Sequence, residues 1–176
     1  MNLVHLLPVG SVDVALLESL RAAIPESLPV ECEILPFSLD PAPSYHIERQ
    51  QFHSSEILQR MQGLVRPKDW RFLAVANVDL YIPILKYVFG EAQLGGPCAV
   101  VSAFRLRQEF YGLEANDALF RQRLLKESIH AFDADFLQCR FHCFQPGVLN
   151  DRLELRHASI GRGVRRSRDS RPGISR

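Results

Sequence analysis

The stretch KESIHAFDADFLQCRFHC, from Lys126 to Cys143, gathers two histidines and two cysteines into one short run. Imidazole nitrogen and thiolate sulfur are the donors that zinc and other soft divalent metals take. His130, Cys139, His142 and Cys143 are therefore the candidate metal ligands of the chain. A hydrolytic zinc helix presents two histidines four residues apart with a glutamate beside the first. No such pair occurs here, and Cys139 and Cys143 stand at i and i+4 only if the run is helical. The residues fit a metal site of another kind, the remains of one, or a helix end with unrelated sulfur.

Other residues that could do chemistry have plainer readings. Cys32 and Cys98 sit among apolar neighbours and are expected to be buried packing residues. Four cysteines at irregular spacing do not make a disulfide framework, so they read as free thiols or ligands in a reducing compartment. Asp79 and Tyr81 in VDLYIP read as structural, and His46 and His53 as residues flanking a loop. Glu91 and Gln93 in GEAQLGG read as outward polar positions of an edge strand.

These residues must be held by elements that the chain does encode. At 176 residues and 47% hydrophobic, it can build one compact domain with a real core. MNLVHLLPVG predicts a first strand, SVDVALLESLRAAI a helix capped by Ser11 and closed by Pro25, and PVECEILPF a second strand. A loop over SLDPAPSYHIERQQFHS leads into a helix at SSEILQRMQGLV, capped by Ser54 or Ser55. RFLAVANV is nearly continuous in apolar residues, as a strand covered on both faces would be. Two further strand segments flank Gly95 and Gly96, and EANDALFRQRLLKESIHAF returns to helical spacing behind an Asn116 or Asp117 cap. The order specifies a single α/β domain with a mixed sheet over residues 1–145. Residues 146–176 lack periodicity, and seven arginines lie between Arg156 and Arg176, a composition expected of an irregular, solvated tail.

Taken together, YHIERQQFHSSEIL, VANVDLYIPILKYVFGEAQLGG and VVSAFRLRQEFYG followed by LLKESIH resemble the archaemetzincins, metzincin-type zinc peptidases, over roughly residues 1–130. The resemblance implies a twisted mixed sheet whose edge strand lies over a cleft, with an active-site helix below. It also implies zinc as cofactor and a peptide or protein as partner. Gly90, Glu91, Ala92, Gln93, Leu94, Gly95 and Gly96 would form the cleft edge, pairing by backbone with an extended peptide. The family's helix carries HExxHxxGxxHC. KESIH places the first zinc histidine at His130, and the pattern then departs: Ala131 occupies the base position, Ala134 the second histidine, Leu137 the glycine and Arg140 the third histidine. No methionine follows Met61 to form the family's methionine turn.

The expectation is thus a metallopeptidase scaffold with no catalytic residue in place, a pseudo-enzyme. The alternatives are a peptide-binding protein that uses the retained cleft, or a basic-tail contact with nucleic acid. That tail lacks interleaved aromatics and a folded module, so nucleic acid is not the expected partner. The sharp edge at His130 suggests one event. Read one nucleotide downstream, the codons of Leu137–Arg140 permit Cys-Ser-Ala, those of His142–Gln145 Ile-Val-Phe-Ser, and those of Leu149–Arg152 Leu-Thr-Thr-Asp. That order is similar to the family's sequence beyond its zinc motif, and points to a shifted reading frame. No run approaches a membrane span and the start lacks a signal-peptide pattern, so a cytoplasmic protein with no membrane contact is expected.

Overall fold

The computed structural model describes residues 2–66 and 71–137. The expectations that concern Cys139, His142, Cys143, the basic tail, its 145/146 boundary and the shifted frame lie outside those residues.

Five strands form the main sheet: β1 (Asn2–Val9), β2 (Val30–Ile34), β5 (Arg71–Ala76), β7 (Gly90–Ala92) and β8 (Cys98–Ser102). Their spatial order is β2-β1-β5-β8-β7. All neighbours pair in parallel except the edge strand β7, which runs antiparallel to β8. A second, three-stranded sheet joins β3 (Tyr45–His46), β4 (Gln51–His53) and β6 (Leu80–Tyr81). The segment expected to be a plain loop before the second helix therefore holds two short strands. Gln50 turns between them at φ 53°, and polar side chains with turn residues concealed so brief a pairing.

The register assigns the two faces of the main sheet. Leu7, Val9, Phe72, Ala74, Ala76, Cys98 and Val100 alternate onto one face, where helix α2 (Ser54–Gln62) buries Ile57, Leu58 and Met61 against them. The intervening Val4, Leu6, Leu73, Val75, Ala99 and Val101 are equally buried and face α1 (Val14–Ser27) and α3 (Asp117–Leu137), which also pack on each other. This two-sided cover explains the unbroken apolar run of β5.

Helix ends differ in detail from the sequence reading. Asp13, not Ser11, caps α1, its carboxylate accepting from Ala15 N at 2.9 Å. Pro25 lies inside α1 rather than ending it, because a proline near the last turn forfeits one backbone bond and Leu28 N still closes on Ile24 O at 3.0 Å. For α2 the cap position is His53, with no side-chain cap bond, and Ser54 and Ser55 are the first helical residues. Asn116 caps α3 as expected, accepting from Leu119 N at 2.9 Å. No described helix is long and apolar enough to cross a membrane.

Candidate functional site

Among the described residues, strand β7 pairs with β8 on one side only, so its other edge offers backbone groups to an added strand. Two glycines make this edge. A Cβ on Gly90 would lie 2.7 Å from the Val100 carbonyl oxygen, so only glycine lets the two strands approach this closely. Gly95 adopts φ +69° in the turn that returns the chain to β8. Gly90, Glu91 and Ala92 are thus strand residues, while Gln93, Leu94, Gly95 and Gly96 form the turn.

Pairing decides where each side chain goes. Glu91 sits opposite Val100 and faces α2, whereas Gly90 and Ala92 sit opposite Val101 and Ala99 and face α3. The expected outward glutamate is instead turned onto a helix. Its carboxylate accepts hydrogen bonds from Ser54 Oγ and from Ser55 Oγ, the latter at 2.8 Å. Ser54 is fully buried, and a carboxylate at a helix N-terminus is favoured by the helix dipole. Serines that read as caps therefore act as donors to the edge strand. A shallow groove on this face is lined by Leu58, Gln59, Gln62, Gln93 and Leu94. Glu91 is unsuited to act as a base toward α3, because it points to the opposite face of the sheet.

A second anchor lies near the start of β7. Arg105 donates through Nε and Nη2 to the two Asp79 carboxylate oxygens at 2.5 and 2.6 Å, a bidentate ion pair with little exposure. That bonding to Asp79 pushes the guanidinium pKa up further. Gln51 Nε2 donates to Asp79 Oδ2 at 3.0 Å and to Lys86 O at 2.9 Å. Asp79, read as structural from the sequence, is the node that ties β4, the 82–89 connection and the segment after β8. Beside it, Tyr81 stacks on His53 with centroids 5.1 Å apart and carries the Arg49 guanidinium at 4.4 Å. His53 Nδ1 lies 3.2 Å from Glu56 Oε1, while its Nε2 is buried with no hydrogen-bond partner among the described residues.

Across from the edge strand, α3 presents Phe120, Leu124, Glu127 and Ser128 to the interior. This i, i+4, i+7, i+8 series is an ordinary core-facing stripe. Glu127 is the exception in chemistry: burial alone pushes its carboxyl up to about 7. Ser128 Oγ donates to Leu124 O at 2.8 Å, the usual local solution for a buried helical serine. His130 follows on the same helix, half-buried, with Ala131 next.

A zinc that activates water needs three protein ligands and a base within reach. Among the described residues, no three His, Cys, Asp or Glu side chains converge to hold a metal ion. Ala131 and Ala134 offer no donor atoms where a base and a second imidazole would stand. The described donor set therefore does not fit a hydrolytic zinc. Of the two described cysteines, Cys98 is buried as expected, while Cys32 is only half-buried because β2 is the opposite edge strand. Desolvation pushes both thiols up to about 11, so neither supplies a thiolate near neutral pH.

The sequence profile of peptidase family M54 matches residues 42–159. An archaemetzincin of Methanocaldococcus jannaschii is 41% identical over 123 residues, covering 70% of this chain and 66% of that protein. One from Archaeoglobus fulgidus is 34% identical over 120 residues, covering 68% of each. The chain thus spans about two thirds of the length of these curated relatives. Among solved structures, the Archaeoglobus fulgidus archaemetzincin complexed with malonate superposes with a TM-score of 0.64 at 32% identity, covering 76% of this chain and 77% of that one. A zinc-dependent peptidase from Methanocorpusculum labreanum gives 0.66 at 27% identity, covering 82% and 85%.

Proposed function

The chain belongs to peptidase family M54, the archaemetzincins, and from that premise we propose that it is a peptide-binding scaffold whose cleft is retained and whose hydrolytic chemistry is lost. One observation carries the reading: α3 keeps its inward packing stripe through Ser128, yet the positions after His130 that would hold base and ligands are Ala131 and Ala134. Loss of a general base alone removes about 10²- to 10⁴-fold of rate, and loss of a second zinc ligand compounds it. What remains is an edge strand with no strand partner on its outer side among the described residues, stiffened by Glu91 and by the Asp79–Arg105 pair. Strand addition along that edge gives affinity through main-chain hydrogen bonds, with side-chain pockets giving preference.

The reading carries a cytoplasmic setting, supported by Cys32 and Cys98 being free thiols. It also carries an origin in a shifted frame beyond His130, supported by Ala131 and Ala134 standing directly after His130 at the base and second-histidine positions. Sequencing the nucleotides around the His130 codon tests that origin: restoring one frame yields HExxH, and failure to find it sinks the idea. The binding claim is tested by titrating labelled extended peptides into the purified chain. Saturable binding that persists in chelator, with the peptides recovered intact, is the expected result. Absence of saturation with every peptide would contradict it.

A further inference from the structure

Among the described residues that line the groove between α2 and β7, Glu91 alone carries a formal charge. We propose that this groove is a subsite for a basic side chain, arginine before lysine, on a peptide added along the outer edge of β7. Glu91 and Gln93 are the residues that select it. The inference rests on the peptide-binding reading and deepens it.

The bonds between β7 and β8 fix which residue of such a peptide meets Glu91. Ser102 N donates to Phe89 O at 2.7 Å, and Gln93 N to Cys98 O at 2.9 Å. Residues 89, 91 and 93 therefore turn their backbone groups towards β8, and the alternation of an antiparallel ladder turns those of Gly90 and Ala92 outward. An incoming strand bonds to Gly90 and Ala92, and its residue between them lies opposite Glu91. Opposite residues share a face of the sheet, so that side chain enters on the α2 side, its Cβ about 5 Å from the Cβ of Glu91.

The acceptors on that side have spare capacity. Ser54 and Ser55 give Glu91 two hydroxyl protons, against about four lone-pair sites on a carboxylate. Among the described residues, no lysine, arginine or histidine pairs with this carboxylate. Gln93 lies opposite Cys98 and so faces α2 as Glu91 does. Its Oε1 is buried with no hydrogen-bond partner among the described residues, packed where a Cβ on Gly96 would come within 2.6 Å of it. The last torsion of a glutamine is soft, so this oxygen turns to an arriving donor at little cost. Residues two apart on a strand stand about 6.6 Å apart, a gap that a guanidinium bridges with N–H groups on two of its edges. An ammonium meets the charge of Glu91 as a point and leaves Gln93 unpaired, which places lysine second. Leu58 and Leu94 line the same groove and cover the methylene stem of either side chain.

The test uses the full chain and three labelled peptides that differ only at one central residue, which is arginine, lysine or norleucine. At low salt, wild type is expected to bind the arginine peptide about fivefold more tightly than the norleucine one, with lysine between them. Salt at about 1 M should shrink that ratio towards one. Glu91→Gln keeps an oxygen for Ser54 and Ser55 and is expected to abolish the preference, while Gln93→Leu should bring arginine level with lysine. Glu18→Gln removes one negative charge on α1, which packs on the other face of the sheet, and should keep the full ratio. A wild-type ratio near one, a preference that survives Glu91→Gln, or one that Glu18→Gln also abolishes overturns the subsite while leaving strand addition standing. Failure of every peptide to saturate overturns strand addition and the subsite together. Should Glu91→Gln melt below the assay temperature, Gln93→Leu decides alone: equal binding of arginine and lysine upholds the subsite, and an unchanged gap overturns it.

Discussion

The edge strand β7 with its anchors, the strand wall, and helix α3, the helix wall, handle buried charge in opposite ways. On the strand side, Glu91 is met by two serine hydroxyls and Asp79 by an arginine and a glutamine. On the helix side, Glu127 is held up to about 7 by burial alone. The strand wall thus keeps its shape through its own hydrogen bonds. The helix wall keeps its shape through Phe120 and Leu124, residues that carry no chemistry. The difference teaches that polar contacts distant in sequence anchor the edge strand, whereas apolar packing anchors α3. The described packing stripe of α3 runs from Phe120 to Ser128.

Breaking the strand wall should have the largest effect. Asp79→Ala leaves the little-exposed Arg105 guanidinium without its carboxylate and Gln51 without one acceptor. A loss of about 3 kcal/mol is expected in denaturant unfolding, since removing one partner of a buried pair strands the other. A loss below about 1 kcal/mol would show the pair to be ornamental. The helix wall should respond to pH instead. Glu127 has a folded pKa raised from 4.5 to about 7, so the folded state binds its proton more tightly than the unfolded state does. Stability from this group is therefore fully present below pH 4.5 and falls by about 3 kcal/mol as pH rises to 7. Glu127→Gln should flatten that fall and leave the acid-side stability little changed, measured by thermal unfolding across pH 4–8. A fall of equal size in the variant would assign it elsewhere.

The smallest effect sharpens the contrast within the strand wall. Glu91→Ala removes the acceptor of Ser55 and leaves the fully buried Ser54 with Tyr81 O alone, at 3.2 Å. A cost of about 1–2 kcal/mol is expected, together with faster amide exchange in β7. Unchanged exchange there would mean that pairing with β8 alone holds the edge.

Much of this architecture was legible in the residues. The unbroken RFLAVA run fixed β5 as a doubly covered strand, and the turn at Gly95 placed β7 against β8. The stripe from Phe120 to Ser128 marked α3, and Asn116 its start. The strand anchors were not legible, because their partners are distant in sequence: Glu91 is 37 residues from Ser54 and Arg105 is 26 from Asp79. Periodicity reports which face a residue takes, not which side chain crosses to meet it. Ser54 and Ser55 misled for the same reason, since a serine opening a helix has the composition of a cap whether it bonds its own backbone or a remote carboxylate. The two short strands before α2 were hidden because pairs of so few residues show no alternation to count.

The most direct test of a retained cleft without hydrolytic chemistry is the metal content of the purified chain, read beside cleavage of a mixed peptide substrate with and without chelator. The account predicts substoichiometric zinc and no chelator-sensitive cleavage. One zinc per chain, with cleavage that chelator abolishes, would contradict it.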